Sequence, residues 1–295
     1  MLIRSARQWW TASSPRALDV AQEALLKAFV KAPFQKTSSG GLNSVEFLNP
    51  NSTGGTDTVV LAHGFGSGLG FFYNNVDMLL QSSNVKRVVL VDWLGMGGSV
   101  RPSCFLRPIR GFTEMSTSWC DSRFSPSQAV DFFVDPFHEW MKTSVQDDNV
   151  VLVGHSLGGY LAARYALAHP EQISRLVLAS PVGFPLKPPD TLSGSQLPTS
   201  LRVIDAMWSS NITPQQLVRI MGSTRGRQNV QRALQGRMPH LPPADVELLA
   251  DYLYHITVAD PSGEFAMNSL LEPIISADVM GVYAREPLQE KLVEL

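Results

Sequence analysis

Short apolar runs alternate with amphipathic stretches along this 295-residue chain, and their order predicts an α/β architecture. Four runs read as buried strands: Thr58–Ala62, Lys86–Val91, Asn149–Val153 and Ile173–Ala179. Each is short and rich in valine, leucine or isoleucine, as expected where a parallel sheet is covered on both faces. After the third run, Leu157, Leu161, Arg164, Tyr165 and Ala168 recur at three- and four-residue spacing up to Pro170, which predicts a helix. A second helix is expected over Pro126–Lys142, with Phe132, Phe133, Phe137 and Trp140 on its buried side. Nearer the start, Leu18, Ala21, Leu25, Ala28 and Phe29 share one helical face. After the proline-rich "SPVGFPLKPPD" the strand-like runs cease, and proline-broken helices are expected to form a cap. The expected organisation is an N-terminal amphipathic segment over 1–41, an α/β core over 42–189, a helical cap over 190–275, and a further core segment beginning at 276–295.

One turn carries recognisable chemistry. In "LVGHSLGGY", Ser156 falls where the strand passes directly into a helix, with Gly154 and Gly158 on either side. This is the G-x-S-x-G spacing of a nucleophile elbow, in which any side chain flanking the strained serine would collide with the turn. The helix N-terminus supplies positive potential, so the Leu157 amide is placed to stabilise an oxyanion. The competing reading is a chance pentapeptide at an ordinary strand-to-helix turn. Upstream, Thr58–Ala62 runs into "HGFGSGLG", where Gly64 and Gly66 permit close backbone approach. That loop matches neither G-x-G-x-x-G nor a P-loop with its lysine, so a nucleotide phosphate cradle is not expected. His63 is expected to hold the loop by hydrogen bonds.

A formal net charge of −2 points to no polyanionic partner, nucleic acid included, and no metal or cofactor is expected. Cys104 and Cys120 lie in an irregular stretch, residues 101–125, read as a loop insertion. Free thiols in a reducing compartment or a loop disulfide would both account for them. No apolar run is long enough to span a bilayer. Up to Leu18 the chain holds Arg4, Arg7, Arg16, Trp9 and Trp10 and no acidic residue. Three readings stand open for this start: a helix lying in a membrane interface, a mitochondrial presequence, or a helix docked on its own domain.

The segments "LAHGFGSGLGFF", "VDWLGMGGSVRP", "FFVDPFHEW", "LVGHSLGGYLAARYALAHPEQISRLVLASPVGFP" and "YLYHITVADPSGEFAM" carry a resemblance. Together they resemble the α/β-hydrolase subfamily that holds a lipid-droplet lipase coactivator, its N-acyl lysophospholipid lipase paralogue, plant relatives and fungal cardiolipin deacylases. The resemblance implies a mostly parallel sheet under a helical cap, with the Phe65 amide as second oxyanion donor. It implies acyl transfer through Ser156 on a phospholipid or lysophospholipid, and the tryptophan-containing N-terminus resembles a lipid-droplet anchor; with the arginine-rich start, an intracellular, peripheral-membrane protein on lipid droplets or mitochondria is expected. The coactivator branch has lost its nucleophile, whereas this chain keeps Ser156. The subfamily places its acid and histidine on strands after the cap, and Gly281–Leu295 resembles the helix just before those strands. The last strands are therefore expected to be missing from the chain. The remaining base candidates are His240 and His255, which open the H-x4-D patterns "HLPPAD" and "HITVAD". The alternative function is a non-catalytic lipid-binding or lipase-regulating module.

Overall fold

In a computed structural model of the protein the described residues are 2–102, 125–192, 196–275 and 280–294; Cys104 and Cys120 lie outside them. The valine-rich runs pair as expected. Strands β3 (Asp57–Ala62), β4 (Val85–Val91), β5 (Val150–His155) and β6 (Arg175–Ala179) lie parallel, extended by an antiparallel hairpin of β1 (Phe34–Ser39) and β2 (Leu42–Leu48). The strand order is β1-β2-β4-β3-β5-β6. The hairpin turns on Gly40 and Gly41, both at positive φ (59° and 82°), the backbone that a two-residue turn between right-twisted strands requires. β1 falls inside the stretch expected to be a separate N-terminal segment, so the sheet already begins at Phe34.

The two sheet faces are filled differently. One is covered by α4 (Pro126–Trp140) and α5 (Leu157–Ala168), which bury Phe132, Phe133, Phe137, Trp140, Tyr160 and Tyr165. Ser125 opens α4 with a capping box to Gln128, and the helix gives way to a single π turn at Met141–Val145. The other face is covered by α2 (Pro15–Phe29), α3 (Tyr73–Leu79) and α8 (Pro243–Val258), through Leu25, Leu26, Val76, Leu249 and Tyr252. Of the three readings of the N-terminal apolar stripe, α2 takes the third. Leu18, Ala21 and Leu25 are buried, and they join α8 in one core cluster instead of facing outward.

The expected cap contains α6 (Thr199–Ser209), α7 (Pro214–Arg237), α8 and α9 (Gly263–Leu270), with prolines opening α7 and α8. α7 bends at Gly222 (φ 73°, ψ −175°), and Trp10 of α1 (Leu2–Thr11) seats in the bend, its ring 2.9 Å from where a Cβ on Gly222 would stand. The Trp10 indole N–H donates to the Arg219 carbonyl (3.1 Å).

Two expectations fail at the far end. Leu271–Ile275, assigned to the helical block, is strand β7, and it pairs antiparallel with β8 (Met280–Ala284), inside the segment likened to a helix. Val282 and Tyr283 favour extended backbone and find partners in Pro273 and Glu272. Pro287 bars a helix from running on, and only a 3-10 turn follows at Gln289–Glu294.

Candidate active site

The chain passes from β5 into α5 through Ser156, whose backbone sits at φ 54°, ψ −119°, a strained conformation for any residue with a side chain. The flanking glycines are sterically required. A Cβ on Gly154 would lie 2.4 Å from the Gly158 carbonyl oxygen, and one on Gly158 would lie 2.4 Å from the carbonyl oxygens of Ala62 and His63. Backbone bonds hold the turn from both sides. The Ser156 amide donates to Ala179 (3.1 Å), while its carbonyl accepts from Gly159 (3.0 Å) and Val182 (3.2 Å).

The glycine-rich loop after β3 comes to the same place. Gly64 abuts the nucleophile so closely that a Cβ there would stand 2.9 Å from Ser156 Cβ, and Gly66 follows at φ 73°. Phe65 is thereby held next to the elbow. Among the described residues neither the Phe65 nor the Leu157 amide donates to a protein acceptor, so both are free to face a developing oxyanion.

The loop's shape comes from buried polar groups. His63 is 1% exposed, its Nδ1 2.7 Å from the Gly64 carbonyl oxygen, and its Nε2 accepts weakly from the Trp93 amide (3.4 Å). Burial pushes its pKa below the ordinary imidazole value, which keeps it neutral in the structural role expected for it. Asp92, fully buried, accepts from the Leu69 amide (2.6 Å), the Gly98 amide (2.8 Å) and Asn43 Nδ2 (2.7 Å). Tyr252 of α8 takes the Gly70 amide on its hydroxyl (3.0 Å). Sequence reasoning passed over both, because a polar residue ending a strand and a tyrosine on a helix carry no local mark of a partner far along the chain. It also passed over Gln215, in the first turn of α7. Its Nε2 lies 3.9 Å from where a Cβ on Gly66 would stand, and its buried Oε1 accepts no hydrogen bond.

The two base candidates are not brought to Ser156. His240 is exposed in the connection between α7 and α8. His255 is 5% exposed, with Nδ1 2.8 Å from Ser13 Oγ and Nε2 3.2 Å from the Arg227 guanidinium. Burial, then the Arg227 charge, pushes its pKa down to about 4. Both ring nitrogens are thus committed to the α1–α2 link and to α7. The other histidines serve elsewhere: His138 and His169 stack on each other (3.7 Å between ring centres), and the His155 ring lies against Gly64. All six histidines are among the described residues, and none hydrogen-bonds Ser156. Among the described residues there is also no group of three or more His, Cys, Asp or Glu that could hold a metal ion.

Comparison with known proteins agrees with this geometry. The alpha/beta hydrolase fold family matches residues 57–215, more than half of the chain, including the loop after β3 and the elbow. A 1-acylglycerol-3-phosphate O-acyltransferase from Arabidopsis thaliana is 34% identical over 275 residues, covering 88% of this chain and 57% of the relative. A (lyso)-N-acylphosphatidylethanolamine lipase from Bos taurus is 30% identical over 235 residues, covering 79% and 60%. The chain therefore spans little more than half the length of these curated relatives. The crystal structure of a membrane phospholipase A matches with a TM-score of 0.50 at 18% identity, covering 91% of this chain and 70% of that one, a likeness of fold alone. With a strained serine between two glycines, a His-Gly loop beside it and a mostly parallel sheet beneath, the chain belongs to the alpha/beta hydrolase fold family.

Proposed function

We propose that the chain carries the acyl-transfer centre of a lipid-directed serine hydrolase or acyltransferase that acts on carboxylic esters of phospholipids or lysophospholipids. The observation that carries this is Ser156, strained at the elbow with the free amides of Phe65 and Leu157 beside it. Ser156 Oγ attacks the ester carbonyl, and the oxyanion of the tetrahedral intermediate is stabilised by those two amides. Collapse breaks the ester C–O bond, the proton given up by the Ser156 hydroxyl passes to the departing oxygen so that the alcohol leaves, and an acyl-enzyme remains. Water or the hydroxyl of a lysolipid then attacks the acyl carbon and regenerates the serine. The lipid class rests on the acyltransferase and lipase relatives.

A second reading has its own observation. No histidine of the chain bonds Ser156, and a serine without its base loses several orders of magnitude in rate, so a non-catalytic lipid-binding or lipase-regulating module is the competing function. Fluorophosphonate labelling of the purified chain, read by intact mass, separates the two. Labelling that disappears in Ser156→Ala supports acyl transfer; a folded sample that takes no label supports the module.

The site is proposed to meet its substrate at a membrane or lipid-droplet surface, through α1 and the neighbouring bend of α7. Trp9 is 81% exposed and Ile220 72%, with Trp10 between them half-exposed. A place on mitochondria or lipid droplets is part of the same proposal. Co-sedimentation with phospholipid vesicles tests it, and Trp9→Ala should weaken binding without loss of fold.

A further inference from the structure

The near-balanced net charge of −2 conceals a segregation. The 10 residues of α1 and the 24 of α7 hold seven arginines and none of the chain's 26 acidic residues. Trp10 packs the two helices together, so this charge collects on one unit, and the rest of the chain is correspondingly acidic.

Three of these arginines are neutralised where they stand. Arg7 bonds Asp260 (2.8 Å), Arg219 bonds Glu264 (2.6 Å) and Arg227 bonds Asp251. Arg225, Arg232 and Arg237 are exposed, and among the described residues they meet no carboxylate. Arg225 and Arg232 lie two helical turns apart and within about 20° of one another around the axis, pointing away from buried Leu234. Between them Gln228, Asn229 and Gln231 are exposed and uncharged. The acidic residues of adjoining α8 do not offset this face. Asp251 is taken by Arg227, Asp245 accepts from the Tyr73 hydroxyl (3.3 Å), and Glu247 pairs with none of the three free arginines.

The basic face continues from an apolar one. Before the bend at Gly222, α7 exposes Leu217, Ile220 and Met221, and α1 exposes Trp9. Arg225 follows just after the bend. Exposed aliphatic side chains next to unpaired guanidinium groups match a surface that offers hydrocarbon below a layer of negative charge. A nucleic acid would satisfy the arginines and leave the aliphatic groups in water.

We infer, resting on the membrane contact proposed above, that α1 and α7 dock on a bilayer carrying anionic phospholipids, with Arg225, Arg232 and Arg237 among the headgroups and the apolar bend set between them. The acidic remainder of the chain is repelled by the same surface, so this face is the one that approaches it. The first turn of α7 carries Gln215 to Gly66, so docking here holds the oxyanion loop close to the lipid.

Flotation of the whole chain tests this with two vesicle types, one of diether phosphatidylcholine and one of two parts diether phosphatidylcholine to one part diether phosphatidylserine. Neither contains an ester for Ser156 to attack. The mixed vesicles should bind about a hundredfold more tightly, about fivefold for each free arginine, and salt should shrink the difference. Arg225→Gln and Arg232→Gln should each weaken binding to mixed vesicles about fivefold. The triple variant with Arg237→Gln should lose most of the preference, at an unchanged melting temperature because no partner is lost. Lys142→Gln, at the end of α4 on the opposite side of the sheet, should bind as wild type does. Trp9→Ala should weaken binding to both vesicle types, which reads the membrane contact itself. Equal binding to the two vesicle types, or a triple variant that binds like wild type, would overturn the inference and leave the membrane contact standing. Binding to neither would overturn both. Polyuridylate bound as tightly as the mixed vesicles would also overturn it, assigning the arginines to a nucleic acid.

Discussion

Replacing Glu264 by methionine tests how the helical block is held over the oxyanion loop. Glu264 and Arg219 form a two-pronged pair, NH1 to Oε1 at 2.7 Å and NH2 to Oε2 at 2.6 Å, with the side chains only 6% and 8% exposed. Thr213 Oγ donates to the same carboxylate (2.7 Å), and Arg219 Nε to the Ala259 carbonyl (2.9 Å). The pair thus ties α7 to α9, and the first turn of α7 carries Gln215 to the oxyanion loop at Gly66. Glu264→Met strands a buried guanidinium, at a cost of about 3–5 kcal/mol, and Arg219→Met strands a buried carboxylate at a similar cost. The double variant strands no charge. It loses the Thr213 and Ala259 bonds, about 1 kcal/mol each, and is spared the desolvation of both ions, so it should fall within about 2 kcal/mol of wild type. Urea unfolding of the four proteins, followed by circular dichroism, should give a coupling energy of at least about 4 kcal/mol. A Glu264→Met cost below about 1 kcal/mol, or strictly additive single variants, would refute the reasoning that this ion pair fastens α7 to α9.

Leu25, fully buried between α2 and the sheet, should lose about 2–5 kcal/mol of stability on Leu25→Ala, whereas exposed Trp9→Ala should stay within about 0.5 kcal/mol; equal costs in thermal melts would contradict the docking of α2. Gly158→Ala forces a methyl group to 2.4 Å from two carbonyl oxygens, so any folded product should fail to react with fluorophosphonate, and wild-type labelling would show the elbow to be looser than drawn. His255, its pKa depressed from 6.5 to about 4, binds its proton later in the folded than in the unfolded state. Its contribution is therefore complete above pH 6.5 and lost as the pH falls towards about 4. The full shift corresponds to about 3 kcal/mol, and half-exposed Asp251 beside the ring reduces this to about 1–2 kcal/mol. Urea midpoints between pH 7 and 4.5 should fall less steeply in His255→Gln, and parallel slopes would remove His255 as the cause.

The elements legible in the sequence are those whose burial is written into contiguous residues. β3 and β4 are buried almost throughout and β5 at alternate residues, as their valines and leucines say; β6, last in the strand order, has no fully buried residue among Arg175–Ala179, so the same composition overstates its burial. β1 is different: "FQKTSS" is mostly exposed and becomes a strand through its pairing with β2, announced only by the glycine pair between them. β7 contains Pro273 and follows α9 without a break, so its strand character depends on a partner across a turn. The stripe on α2 has the period expected of a helix against lipid or against protein. Which of these it meets is settled by α8, more than two hundred residues later, and no local pattern encodes that choice.

The same division runs through the active site. The elbow is legible because its steric demand is local: Gly154, Ser156 and Gly158 must fit around one turn, and each side chain missing there is missing for a reason only a few bonds away. An activating base is a relation through space. The pattern that singled out His255, an imidazole separated by four residues from an aspartate, describes neither direction nor depth. On α8 the ring points to Ser13 and Arg227, and its depressed pKa arises from burial and from the Arg227 charge, with Ser156 not among its partners. Ser13, Gln22 and Asn43 went unread for the converse reason: each is an ordinary polar residue until the fold sets it against a partner that constrains it. The amide of Gln22 is oriented only once Asp92 has fixed Asn43 and Asn43 has fixed Gln22, a relay across three separate elements that no single stretch of sequence contains.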